Sequence, residues 1–448
     1  MGTELPCATA RFPYKRQRAI AAFCAFVFRI PVLLRLSRVF SRRYVPPLRD
    51  FVFFSRSGRF EPEHAATISH SAAKPRRTHV GRSAVRTVFN SQTEKVGSDV
   101  PLSRIRPHTP MQPNVALFAT GGTIVSSGES ATQMTGYSIK DFRVDDLLKA
   151  VPALEDVARL EVRQIANIDS SSMTSRVWID LARAIDAALA RNDIAGAVVT
   201  HGTDTLEETA YFLNLVLKSE KPVVLVGAMR PATALSADGP LNLLNAVRVA
   251  SDTAARGRGV LVVLNDTILS AREATKSHPT NVATFRGPDA GMLGMVAGAR
   301  IEWLSQTAKR HTVDTAFDLS LFDDIERLPR VDIVYSHVDD DGVFVKAAVA
   351  AGALGIVHAG TGNGSIHSDT EPALFEAARE GVLVVRASRT GSGATVEGLD
   401  AWQRAGFIPS GTLSPQKARV LLQLSLLRWG DLASDDLRKK TEEAFRLY

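Results

Sequence analysis

The sequence predicts an α/β protein of two unequal domains, a larger N-terminal one built on a mostly parallel, doubly wound sheet and a smaller C-terminal one. Three observations predict it. Short, unbroken β-branched runs alternate with amphipathic segments of helical period, the pattern of a parallel sheet covered on both faces. Loops rich in Thr, Asp and Gly follow the carboxyl ends of those runs, where ligands bind in open α/β sheets. A second such set begins after a charged, less apolar connection at roughly 305–330. The expected organisation is a basic segment 1–112, a first domain 113–305, a linker 306–330 and a second domain 331–448.

Each element has its own signal. Val115–Ala119 is an apolar run that ends in the turn Thr120–Thr123, a strand followed by tight backbone. Trp178, Leu181, Ile185 and Leu189 recur at helical spacing, and Ala197–Val199 then reads as a buried strand. Thr205-Leu206-Glu207-Glu208 has the capping-box pattern, opening a helix with Leu206, Ala210, Leu213 and Leu217 on one face. Val223–Val226 is the next strand. Asp238-Gly239-Pro240 starts a helix with proline at an early position, where no hydrogen bond is lost, and Gly259–Leu264 follows as a strand. In the second set Val331–Tyr335, Ile356–His358 and Leu383–Arg386 read as strands, and the last helix is expected from about Pro415 to Leu427. No internal repeat of the solenoid kind is present.

Composition excludes several classes. The 448 residues are 45% hydrophobic and 23% charged, which is globular and neither collagenous, coiled-coil nor wholly disordered. The longest apolar candidate, Ala19–Phe28, is ten residues and far short of the roughly 18 a membrane-spanning helix needs, so no stable membrane insertion is expected. The net charge of +7 is uneven: residues 1–112 hold 20 Lys/Arg and 6 Asp/Glu, which leaves 34 basic and 41 acidic of the chain's 54 and 47. The basic balance therefore belongs to the front segment and is no nucleic-acid signature of the body. Cys7 and Cys24, the two cysteines, also lie in front, so a cysteine nucleophile, a thiolate metal site and a disulfide are excluded for the body. HExxH and GxSxG motifs are absent.

The front segment shows no sustained period. Arg11, Lys15, Arg16 and Arg18 before Ala19–Phe28 resemble a signal peptide, yet Arg29, Arg35 and Arg38 follow and no small-x-small cleavage site is clear. A disordered basic extension, an Arg-rich transit peptide and a stretch upstream of a true start at Met111 all fit. A start at Met111 implies a cytoplasmic protein; the alternative is a periplasmic or secreted one.

The chemistry-bearing residues cluster in three loops: TGGT at Thr120–Thr123, HGTDT at His201–Thr205, and GTGNGS at Gly360–Ser365. The last lacks the third glycine of a dinucleotide fingerprint, and no P-loop motif occurs, so a nucleotide site is not expected. Together with GAMRP (Gly227–Pro231), SADGP (Ser236–Pro240) and SGTLSP (Ser410–Pro415), the first two loops resemble the bacterial-type L-asparaginases, nearest to the type II branch. The resemblance covers about 113–448 and not 1–112.

That resemblance implies an amidohydrolase converting L-asparagine and water to L-aspartate and ammonia, with no metal or other cofactor. Thr123 matches the family nucleophile and Tyr137 the lid tyrosine beside it. Thr203, Asp204 and Lys276 match a second polar triad. Gly122, Ser170, Ser171, Gly202, Thr203 and Asp204 match the substrate-binding wall, and Asn363 a residue offered by a neighbouring subunit of a homotetramer. Glu397 is the candidate for an acidic residue from that neighbour, in a segment after Thr395 that is shorter than is usual in the family.

The residues support this chemistry unaided. A threonine hydroxyl is a weak nucleophile and needs a base, which Tyr137 or the Lys276–Thr203 pair supplies. Backbone N–H groups of the glycine-rich turns stabilise an oxyanion, each by about 3–4 kcal/mol. Asp204 offers a fixed charge to an α-ammonium. The plainer alternatives are Tyr137 as a solvated loop aromatic, Lys276 as a surface charge, Thr205 and Glu208 as caps, His201 as structural packing and Asp238 as a helix-start residue. An amidotransferase subunit acting with an RNA-bound partner, and a non-catalytic binding protein on this scaffold, are the competing functions.

Ser171 stands where many members carry Gln or Glu, and its shorter side chain removes a contact to the substrate's backbone groups. A single methylene in a pocket shifts discrimination by about 1–3 kcal/mol. The expected outcome is altered affinity and only weak turnover of glutamine. Comparing kcat/KM for asparagine and glutamine measures this, and near-equal values contradict it.

Overall fold

The structure is a computed structural model and describes residues 112–133 and 148–448. The front segment, including Met111, and Tyr137 lie outside the described residues. Among the described residues no helix is long and apolar enough to cross a membrane.

The first sheet has eight strands. In chain order its parallel part is β1 (Asn114–Gly121), β2 (Arg159–Ile168), β3 (Ile194–Thr200), β4 (Val223–Val226) and β5 (Val260–Leu264). The strand order is 2-1-3-4-5, with every neighbouring pair parallel. Three helices cover it: α1 (Ser175–Leu189), α2 (Leu206–Val216) and α3 (Gly239–Ser251). Alternate side chains go to opposite faces, as strand geometry requires. Ala116, Phe118, Val199 and Leu225 pack with α1 and α2, while Val115, Leu117, Val198 and Val224 pack with α3. The sheet is thus doubly wound.

The sheet continues antiparallel through β6 (Thr267–Ser270), β9 (Gly294–Ala297) and β10 (Arg300–Trp303), while β7 (Thr275–Lys276) and β8 (Phe285–Arg286) form a separate ribbon. None of these strands, nor β2, stands out in the sequence. The β2 strand is an edge with Glu161, Arg163 and Gln164 exposed, so it lacks the apolar run that marks a strand buried on both faces.

The second sheet is four-stranded and parallel: β11 (Val331–Tyr335), β12 (Gly355–Gly360), β13 (Leu383–Ser388) and β14 (Ile408–Pro409). It carries α4 (Val343–Ala350), α5 (Glu371–Arg379), α6 (Asp400–Arg404) and α7 (Pro415–Trp429). The expected last helix is not the last. After α7 comes α8 (Ser434–Leu447), whose charged sequence hides a buried stripe of Thr441, Ala444 and Phe445. The 305–330 connection also proves less polar in effect than its composition suggests. Phe317 and Phe322 are fully buried, Phe317 against Trp429 and Tyr448 and Phe322 against Phe212. Residues of α7 share one apolar cluster with α2 and with β12 and β13, so the two sheets are joined by continuous core.

Among the described residues two histidines are wholly buried, His201 just past β3 and His358 in β12, and burial pushes each down to about 4. Below about pH 6.5 the unfolded chain takes up protons these rings refuse, so their contribution is complete above 6.5 and is lost as pH falls toward 4, by about 3 kcal/mol each. Urea unfolding across that range measures it. His358→Leu is expected to flatten the acid slope by about half of this combined amount, and an unchanged slope contradicts the assignment.

Candidate active site

An open sheet with order 2-1-3-4-5 reverses direction between β1 and β3, and a crevice opens outside the carboxyl ends of those two strands. The turn Thr120–Thr123 closes β1 and the loop His201–Thr205 follows β3. Fold and motif therefore select the same place.

Glycine lets the two loops interlock. Gly121 and Gly122 have φ of 106° and 89°, a backbone region that disfavours any side chain. A Cβ on Gly122 would lie 2.3 Å from the Gly202 nitrogen, and one on Gly202 would lie 2.6 Å from Ser170 Oγ. Backbone thus meets backbone between Gly122 and Gly202, and the Gly202 backbone meets the Ser170 side chain. Thr120 Oγ1 donates to the Thr200 carbonyl at 3.0 Å and ties the strand ends together. Thr123 comes next, in a single 3-10 turn, 8% exposed.

The second polar group is assembled across three elements. Lys276, on β7, donates from Nζ to Thr203 Oγ1 at 3.0 Å and to Asp204 Oδ1 at 2.5 Å. Its backbone N–H donates to Glu207 Oε2 at 2.6 Å, and Glu207 Oε1 accepts from Gln416 Nε2 at 2.5 Å. Glu207 is in the first turn of α2 and Gln416 in that of α7, so the second domain's helix holds the lysine strand in place. Beside it Lys417 is buried, its ammonium donating to the Arg272 and Ala274 carbonyls at 2.6 Å each. Burial pushes Lys417 down to about 8. A neutral amine still has two hydrogens for those two carbonyls.

Ser170 Oγ accepts the Asp204 N–H at 3.1 Å, and the Ser170 carbonyl accepts from Thr205 Oγ1 at 2.7 Å. The predicted capping box is therefore not formed. Thr205 sits at the N-cap of α2 but spends its hydroxyl on Ser170, and α2 has no side-chain cap. Glu208 instead lies half-buried away from this crevice. Asp238 occupies the helix-start position of α3 without capping it. Its carboxylate accepts from the Met229 and Arg230 N–H groups and from Asn242 Nδ2. His201 is structural: Trp178 Nε1 donates to Thr209 Oγ1, which donates to His201 Nε2, whose Nδ1 donates to the Gly202 carbonyl.

The crevice holds a cleft of about 250 Å³ lined by Gly122, Thr123, Ser170, Ser171, Gly202, Thr203, Asp204 and Lys276. Small-molecule pockets commonly run from about 300 to 1,000 Å³, so this one suits a molecule of amino-acid size. Asp169, Met229, Pro279 and Thr280 complete the lining. Met229 belongs to the GAMRP segment but is not singled out there as a site residue, and Asp169, Pro279 and Thr280 lie outside the three polar loops. Asn363 and Glu397 are not in this cleft. Both are exposed in the second domain, with Asn363 Oδ1 accepting from the Val396 N–H at 2.8 Å. A hydroxyl in a tight turn, an ammonium held by a hydroxyl and a carboxylate, and loop backbone around them together make an arrangement suited to acyl transfer.

Known proteins resemble this chain over both domains. Residues 114–309 match the family described as Asparaginase, N-terminal, and residues 330–435 the Glutaminase/Asparaginase C-terminal domain. The chain is 48% identical over 320 residues to L-asparaginase 2 of Escherichia coli, covering 71% of this chain and 90% of that protein. It is 46% identical to a probable periplasmic L-asparaginase of Haemophilus influenzae, with the same coverage. The crystal structure of a probable cytoplasmic L-asparaginase from Campylobacter jejuni superposes with a TM-score of 0.71 at 46% identity, covering 75% of this chain and all of that one.

The glycine contacts yield a paired prediction. Gly122→Ala forces a methyl into the Gly202 backbone and is expected to abolish ammonia release. Gly257→Ala, also at positive φ (69°) but with nothing within 4 Å of the new carbon, is expected to cost only about 1–2 kcal/mol of stability. Assaying both by activity and urea unfolding checks this, and equal activity in the two variants contradicts it.

Proposed function

The chain belongs to the asparaginase family, and from that premise we propose that it hydrolyses L-asparagine to L-aspartate and ammonia through an ester formed on Thr123. The observation that carries the proposal is the Lys276 ammonium, held by Thr203 and Asp204 in the same small cleft as Thr123.

Binding uses what the protein leaves unspent. Asp204 is 63% exposed at its side chain and engages Lys276 through Oδ1, which leaves Oδ2 for the substrate's α-ammonium. Ser170 has its acceptor role filled by the Asp204 N–H, so its hydroxyl proton is available to the substrate's α-carboxylate. The carboxamide then points toward Thr123. As the Thr123 oxygen bonds to the carboxamide carbon, its proton passes to a base, and the oxyanion is stabilised by loop N–H groups. Tyr137 is the assigned relay for that proton. The C–N bond breaks, ammonia leaves with the proton, and water cleaves the ester to release aspartate and restore the hydroxyl. The Lys276–Thr203 pair is placed to polarise the water or the reacting groups.

Asn363 and Glu397 are assigned to the site of a neighbouring copy, in a homotetramer with active sites at subunit interfaces. The Val396 contact occupies Asn363 Oδ1 and leaves the amide hydrogens for an external partner. The amidotransferase and non-catalytic alternatives find no support in the relatives' names.

Thr123→Ala is expected to lower kcat by about three orders of magnitude or more, since the nucleophile is lost. Lys276→Met is expected to lower it by about 10²–10⁴, the range of a lost acid–base group. Stopped ammonia assays on folded variants measure both, and undiminished turnover by Thr123→Ala overturns the proposal. Mixing the Thr123→Ala and Asn363→Ala chains after co-refolding is expected to restore part of the activity, because some mixed sites draw both intact residues. No recovery contradicts completion of the site by a neighbouring copy.

A further inference from the structure

A second polar cleft, of about 480 Å³, lies between the N-terminal ends of α1 and α2, the segment 327–332 that leads into β11, and α7. It plays no part in the chemistry above. Three groups in it have polar atoms that no protein group among the described residues engages. Glu208 makes no side-chain hydrogen bond and no ion pair among the described residues. Arg419 donates from Nε to the Val331 carbonyl at 2.9 Å, and its two terminal nitrogens make no further hydrogen bond among the described residues. Gln423 is 3% exposed and donates to the Pro329 carbonyl, while its Oε1 is buried with no partner.

Glu208 and Arg419 attract one another across this space without forming an ion pair within 4.0 Å. The helices that carry them hold them apart, and each is left with capacity for a third body. One unfilled acceptor, the Glu208 carboxylate, calls for an ammonium. One guanidinium edge calls for a carboxylate, with the positive ends of two helices nearby. The other charges on the cleft change little: Arg330 is neutralised by Asp332 at 2.7 Å, and Arg327 is exposed at the rim.

We propose that this cleft is a second ligand site, which takes a zwitterionic α-amino acid with its ammonium on Glu208 and its carboxylate on Arg419. Burial pushes the Glu208 carboxyl up to about 7, so this acid gains more than an exposed one from an ammonium beside it. The site has no lining residue in common with the catalytic cleft but is linked to it by hydrogen bonds. Thr205 lines the second site and gives its hydroxyl to the carbonyl of Ser170, whose own hydroxyl receives the Asp204 N–H. An occupant therefore rests one residue away from the loop that is assigned to the substrate.

The test is independent of catalysis. Trp178 lines this cleft, and no tryptophan lines the Thr123 cleft. Titrating the full chain with glycine while following tryptophan emission is expected to give a saturable change that is lost in Trp178→Phe and kept in Asp204→Ala. Glu208→Gln and Arg419→Met are each expected to weaken it by about tenfold or more, the loss of one charge-assisted partner. On the unmodified chain, methylammonium or acetate alone is expected to bind far more weakly than glycine. The proposal is overturned by no saturable change, by a charge variant that binds glycine as tightly as the unmodified chain, by equal binding of a singly charged probe, or by loss of the signal in Asp204→Ala.

Discussion

Backbone packed directly on backbone at Gly122 and Gly202 is the constraint on which the rest of this site depends. Side chains of ordinary size would hold the β1 and β3 loops a few ångströms apart, and the hydroxyl of Thr123 would no longer share a cleft with Thr203 and Asp204. The same closeness continues from Gly202 to Ser170, so the residue assigned to the substrate's carboxylate is placed by the absence of a methyl group together with its hydrogen bonds from the Asp204 N–H and the Thr205 hydroxyl. The conformational freedom that glycine gives up on folding is here exchanged for a cleft of amino-acid size.

The second constraint is the reach of one domain into the other. Lys276 lies on a two-residue strand that could not fix a long side chain alone. Its position comes from Glu207 in α2 and Gln416 in α7, with Lys417 holding the carbonyls just upstream. Buried ionic groups of this kind are weak sources of stability. They make sense as positioning devices, because each points at backbone of the segment that carries the lysine. The small second domain thus helps to position Lys276 of the large one through α7.

Legibility in the sequence followed burial. Strands β1, β3, β4 and β5 are covered on both faces and read as unbroken apolar runs. The edge strand β2 and the antiparallel β9 and β10 carry charged or exposed positions, and their pattern merges with that of loops. Helix α8 was hidden for the same reason, its apolar stripe being thin against eight charged residues in fourteen. At the site, the Thr-, Asp- and Gly-rich loops announced themselves, and the cleft gathers Thr123, Ser170, Ser171, Thr203, Asp204 and Lys276 as expected. What local pattern misjudged was the use of each polar group. Thr205 and Glu208 spell a capping box, yet the Thr205 hydroxyl finds a better acceptor in the nearby Ser170 carbonyl. Glu207 reads as an ordinary first-turn acid, and only the tertiary structure brings Lys276 and Gln416 to it.

The central claim is that the hydroxyl of Thr123 becomes transiently esterified by the substrate's side-chain carbonyl. Acid-quenching the chain during steady turnover of L-asparagine, followed by proteolysis and peptide mass analysis, looks for that ester directly. The account predicts an aspartyl adduct on the peptide that contains Thr123. An adduct on Thr203, or full turnover with none on any hydroxyl under conditions that preserve a synthetic aspartyl ester, would contradict it.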